Sequence, residues 1–211
     1  VSLGKYFQTT TSAETVLPVT YVEKYQSEGT KKLFEQYKFA SSKNKEYFAA
    51  KTYLERLVSD IVFDVRNSPL LPRQTHFFFT SPPSTMYTRG EKAEDSTREL
   101  FRQDIDYFGR VFKVRLSHLK HSKAQHIGGN RKYRLANIAG RYTVAPVFKF
   151  KVFFILNILK IKYFHITILD DVCSTGGTLL ACAQTLERYF QKLQKKKPEI
   201  RWTVQVFSIA H

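Results

Sequence analysis

Phe164-His-Ile-Thr-Ile-Leu-Asp170-Asp-Val-Cys-Ser-Thr-Gly-Gly-Thr-Leu179 is the stretch on which the reading of this chain turns. A short β-rich apolar run ends in two adjacent carboxylates. A turn of Ser, Thr and Gly follows, and then apolar residues at helical spacing begin. If residues 166–169 form a parallel strand, Asp170 and Asp171 fall beyond its carboxyl end, where ligands sit in open α/β sheets. Gly176 and Gly177 lack a Cβ, so their backbone can approach an anion closely. Thr175 and Thr178 place hydroxyls at capping positions, next to the N–H groups of a helix start. Carboxylates that accept from sugar hydroxyls, beside a cradle for phosphate, suit a sugar phosphate. The segment lacks both G-x-x-x-x-G-K-[ST] and G-x-G-x-x-G, which excludes the P-loop and dinucleotide fingerprints.

The stretch resembles the phosphoribosyl-pyrophosphate (PRPP) signature of type I phosphoribosyltransferases, with no departure at Asp170, Asp171, Thr175, Gly176 or Thr178. Weaker similarity points to the ComF branch, the competence-associated phosphoribosyltransferase-like proteins. Residues 31–39 look like that branch's early helix. Residues 77–83 followed by Arg89-Gly90 resemble its first core strand and the Arg-Gly loop after it. Gln125 and then Arg134, Asn137, Gly140 and Tyr142 resemble its Gln…Arg-x-x-Asn-x-x-Gly-x-aromatic segment. Three departures stand out. No cysteine-rich zinc module precedes the core. Glu91-Lys92-Ala93 replaces the usual aromatic-Asn-Gln. Residues 148–162 are longer and more apolar than the short turn expected before the signature strand.

The resemblance implies an α/β fold with a mainly parallel central sheet flanked by helices, the type I phosphoribosyltransferase-like fold. It implies an N-terminal helical, hood-like segment over residues 1–70 and a core over 71–211. The implied activity is transfer of a phosphoribosyl group from PRPP, with Mg²⁺, to a nitrogenous base or amine, releasing pyrophosphate. Asp170 and Asp171 would be catalytic. PRPP would be bound by them together with Val172, Cys173, Ser174, Thr175, Gly176, Gly177 and Thr178. No side chain is expected to ligate metal directly, since Mg²⁺ is held through water and PRPP. A second reading is a PRPP-binding accessory protein of DNA uptake, with single-stranded DNA as partner and no turnover. A homodimer is compatible with either.

Composition agrees with one enzyme-sized domain. In 211 residues, 43% are hydrophobic and 15% aromatic, enough for one substantial core but not for two full domains. A net charge of +16 favours anionic ligands without separating PRPP from nucleic acid. Only Cys173 and Cys182 are present, which excludes a disulfide framework and suggests a reducing, cytoplasmic setting. Cys173 sits inside the proposed ligand loop. His118, His121 and His126 lack acidic or cysteine neighbours in sequence and read as part of a basic loop rather than a metal site. The apolar residues 147–169 are interrupted by Lys149, Lys151, Lys160 and Lys162, which argues against a membrane span.

Residues 118–142 carry Lys120, Lys123, Arg131, Lys132, Arg134 and Arg141, with no acidic residue. By resemblance this is the loop that folds over the site, and Lys123, Arg131, Arg134 and Arg89 are candidates to neutralise departing pyrophosphate. Periodicity predicts one or two helices between residues 33 and 61, a buried strand over 76–80, a helix over 93–108 and a strand over 111–116. It also predicts weaker strands over 141–145 and 148–155, a helix from Leu179 to Leu193 and a last strand over 202–209.

Overall fold

The computed structural model describes residues 6–10, 16–23, 28–39, 44–82, 112–113, 116–118, 142–172 and 177–210. In chain order these form β1 (Tyr6–Thr10), β2 (Val16–Glu23), α1 (Glu28–Phe39), α2 (Lys45–Arg66), β3 (Thr75–Thr80), β4 (Phe112–Lys113), β5 (Leu116–His118), β6 (Tyr142–Val144), α3 (Pro146–Asn157), β7 (Tyr163–Val172), α4 (Gly177–Gln194) and β8 (Arg201–Ala210). The main sheet runs β1-β2-β8-β7-β3-β4. All its neighbours are parallel except β1 and β2. The architecture is therefore α/β, with helices packed on a largely parallel sheet.

Both faces are covered. On one side, Phe78, Phe164, Ile166, Ile168 and Val206 meet Phe148, Val152 and Ile155 of α3 and Leu179, Ala183, Leu186 and Phe190 of α4. On the other, Phe79, Leu169, Phe207 and Ile209 meet Phe34 and Tyr37 of α1 and Leu54, Val58, Ile61 and Val65 of α2. The first 70 residues thus contribute two strands to the sheet and two helices to its surface. Pro18 lies within β2, opposite Gln8, and a proline in a run argues against a strand in sequence.

Strands over 76–80 and 202–209 were expected, and β3 and β8 form there. α2 starts at Asn44, whose Oδ1 accepts from the Glu46 N–H at 3.1 Å, a side-chain N-cap. Its end is held by Asn67, whose Nδ2 donates to the Phe63 carbonyl at 2.8 Å. The strand expected over 148–155 is instead helix α3, and this is a correction. Pro146 opens it at the first-turn position, and Phe148, Val152, Ile155 and Leu156 are buried at helical spacing. Because α3 is apolar on every side, periodicity alone could not separate helix from strand. It also accounts for the unusual length of 148–162: the segment is a helix packed on the sheet rather than a turn. The expected strand over 111–116 corresponds to two short pieces, β4 and β5, and the expected helix over 93–108 lies outside the described residues.

Candidate functional site

β7 is the central element of the candidate site. It is parallel to β3 on one side and to β8 on the other, with Ile168 level with Thr80, Asp170 level with Ser208, and Val172 level with Ala210. The strand runs past the expected 166–169, so Asp170 and Asp171 occupy its last turn of pleat rather than the loop after it. Side chains alternate across a strand. Thr80, Asp170 and Ser208 therefore share the face of Phe78, Ile168 and Val206, the face covered by α4. On β7 and β8 that face is apolar up to Ile168 and Val206 and turns polar at Asp170 and Ser208; on β3 it turns polar one step earlier, at Thr80, level with Ile168. Thr80 and Ser208 are buried and Asp170 is half-buried.

The field of Asp170 is felt by the first turns of α4. Burial, and after it the negative charge of Asp170, push the Cys182 thiol well above its ordinary range. Cys182 is consequently a neutral, buried filler rather than a nucleophile. Gly177 is buried at the start of α4 and Thr178 is half-buried beside it. The helix thus opens next to the carboxyl end of β7, with the positive end of its dipole on that side.

The order of the parallel strands adds a second observation. From β3 the chain moves outward to β4, then returns to place β7 on the other side of β3 and β8 beyond it. The direction of winding reverses between β3 and β7, and crevices at such a reversal are where open α/β sheets take ligands. Both strands flanking the reversal end there, β3 at Thr80 and β7 at Val172.

A third observation concerns the basic segment. β5 and β6 pair antiparallel, with Leu116 opposite Val144 and His118 opposite Tyr142. The two ends of residues 119–141 are thereby held side by side. Tyr142 and Val144 are buried in the same cluster as Leu179 and Leu180, and β6 packs against α4. The base of the basic segment therefore adjoins the helix that opens at the end of β7. Lys123, Arg131 and Arg134 themselves lie outside the described residues, as do Arg89, Cys173, Ser174, Thr175 and Gly176. For Asp171 and Val172 the structure gives the strand position.

Among the described residues no three His, Cys, Asp or Glu side chains come together as a metal cage. Comparison with family models, with curated proteins and with solved structures gives no match. Sequence reasoning passed over Thr80 and Ser208. Their only local signal is a polar residue closing an apolar alternation, and it is the sheet register that sets Ser208 level with Asp170 and Thr80 level with Ile168. Elsewhere a shallow groove of about 410 Å³ on α2 is lined by Phe48, Ala49, Thr52, Tyr53 and Arg56.

Proposed function

We propose that this chain binds PRPP with Mg²⁺ and transfers its phosphoribosyl group to a nitrogen nucleophile, on a type I phosphoribosyltransferase-like fold most similar to the ComF branch. The observation that supports this best is the position of the signature residues: Asp170 and Asp171 lie in the last three residues of the strand beside the winding reversal, and α4 opens at Gly177. In this reading the 5-phosphate lies in the turn from Ser174 to Thr178, against the N-terminus of α4. The ribose hydroxyls donate to Asp170 and Asp171. Bound Mg²⁺ supplies charge neutralisation on the pyrophosphate.

The chain's own residues then have separate tasks. The two carboxylates orient the ribose and stabilise positive charge growing at the anomeric carbon as the bond to pyrophosphate lengthens. Lys123, Arg131, Arg134 and Arg89 meet the departing pyrophosphate, and the segment anchored by β5 and β6 excludes water from the sugar. A strong nitrogen nucleophile needs no general base.

Exchange of labelled pyrophosphate into PRPP, with and without candidate bases, tests the reading. Exchange is expected, and Lys123→Gln/Arg131→Gln/Arg134→Gln should reduce it more than it reduces affinity for ribose 5-phosphate, because these groups act on the leaving group. PRPP binding without exchange under any base would replace the enzyme with a PRPP-binding module. No PRPP binding would remove both.

A further inference from the structure

Helix α3 has two apolar faces, and among the described residues only one of them is covered. Phe148, Val152, Ile155 and Leu156 face the core. On the opposite side Val147, Phe150, Phe153, Phe154 and Ile158, with Leu159 just beyond, are between 45% and 68% exposed. Phe150, Phe153, Phe154 and Ile158 stand at i, i+3, i+4 and i+8, one continuous stripe. A helix that is apolar all round is ordinarily buried all round. Scattered exposed hydrophobes need no explanation, but a contiguous stripe of this kind marks an interaction surface.

The charges around the stripe specify its partner. At 100° per residue, Lys149 and Lys151 fall on its two borders. Lys160 and Lys162 are exposed just past its C-terminal end. The Lys197 ammonium donates to the Asn157 side-chain carbonyl at 2.7 Å, which brings the lysine run 195–197 beside the same end. The sequence has no acidic residue from Tyr107 to Leu169, so α3 and the segments that flank it in sequence carry only positive charge, and Glu199 alone follows the lysine run. A second copy of the chain would bring like charge to like charge, at +16 each. Single-stranded nucleic acid would satisfy the lysines and could stack bases on the phenylalanines, but it would leave the aliphatic Val147, Ile158 and Leu159 in water. A surface that is anionic above and hydrocarbon beneath satisfies both parts.

We propose that α3 docks this protein on anionic lipid bilayers, its phenylalanine stripe entering the headgroup–acyl boundary and the surrounding lysines meeting the lipid charges. At 12 residues α3 is too short to span a bilayer, and no helix among the described residues is long and apolar enough to do so. It would lie in the surface plane, as other helices with aromatic and lysine-bordered faces do.

The test is co-sedimentation of the full chain with phosphatidylcholine vesicles, alone and with about one-third phosphatidylserine. Binding is expected to the anionic vesicles and to fall with added salt. Phe150→Ser/Phe153→Ser/Ile158→Ser should reduce it at least about tenfold. Lys149→Gln/Lys160→Gln/Lys162→Gln should reduce it by about fivefold per charge removed. All six side chains are exposed, so both variants should keep the parental melting temperature, checked by circular dichroism. The proposal is overturned if the parent does not sediment with anionic vesicles, or if either folded variant binds them as the parent does. It is overturned equally if the stripe variant loses only single-stranded oligonucleotide binding or only self-association in sedimentation velocity.

Discussion

The two faces of β7 are both buried and are built differently. Toward α3 and α4 it presents Phe164, Ile166 and Ile168, all fully buried and all apolar until Asp170. Toward α1 and α2 it presents His165, Thr167 and Leu169, where a buried parallel strand ordinarily reads as an unbroken apolar run. Phe164 sits among aromatic rings, stacked on Phe78 at 6.1 Å and tilted against Phe190 at 5.4 Å. His165 instead joins neighbours on β8: Nδ1 lies 2.7 Å from the Thr203 hydroxyl and Nε2 lies 3.2 Å from the Gln205 side-chain carbonyl. One neutral tautomer satisfies both, with Nε2–H donating to Gln205 and Nδ1 accepting from Thr203. The first face derives its stability from ring packing, with His76 of β3 edge-on to Phe78 and Phe164; the second depends on the protonation of the His165 ring.

Three substitutions or titrations sharpen that contrast. The largest effect is expected at Phe164→Ala, which opens a cavity between Phe78 and Phe190 and should cost about 3–5 kcal/mol in denaturant unfolding at neutral pH. A loss under about 1 kcal/mol would mean that this face is not the tightly packed one.

The next concerns His165. Burial lowers its pKa from 6.5 to about 4, and the bond to Gln205 only partly offsets this. Between those values the unfolded chain takes up a proton that the folded chain refuses, so stability falls as pH drops from about 6.5 to about 4 and levels off below that. The contribution is about 3 kcal/mol across the window. Carboxylates titrate in the same range, so the measurement is the difference between the parent and His165→Leu. The parent should show the steeper fall by about one proton, and parallel profiles would contradict the assignment.

The smallest effect is at Thr167. Its hydroxyl is buried with no hydrogen-bond partner. Thr167→Val should therefore be neutral or stabilising by up to about 1 kcal/mol, whereas loss of a made hydrogen bond would destabilise by a similar amount.

The same contrast explains what could be read in advance. β3, β7, β8 and α4 were legible because their apolar residues keep one period, and the first two and α4 are bounded by Pro82, paired Asp and Pro198. α3 was misread as a strand, since Phe150, Phe153 and Phe154 are apolar on a face with no core behind it and the period is lost. β1 and β2 were not anticipated within the helical segment expected over residues 1–70, because Pro18 argues against a strand and β2 is fixed by its pairing with β8, far away in sequence. Asp170 and Asp171 were visible as paired carboxylates after an apolar run. Thr80 and Ser208 were not, because two isolated hydroxyls become part of a strand-end cluster only through register.

The central claim is that the carboxyl end of β7 with the start of α4 is a PRPP site, and thermal unfolding with PRPP and Mg²⁺ tests it most directly. A ligand bound only by the folded state at about a hundred times its Kd adds roughly 2.7 kcal/mol, a shift of several degrees in Tm. The parent should show that shift, and Asp170→Asn/Asp171→Asn should remain folded and lose most of it. No shift at millimolar PRPP in folded parent protein, or an undiminished shift in the double variant, would contradict the assignment.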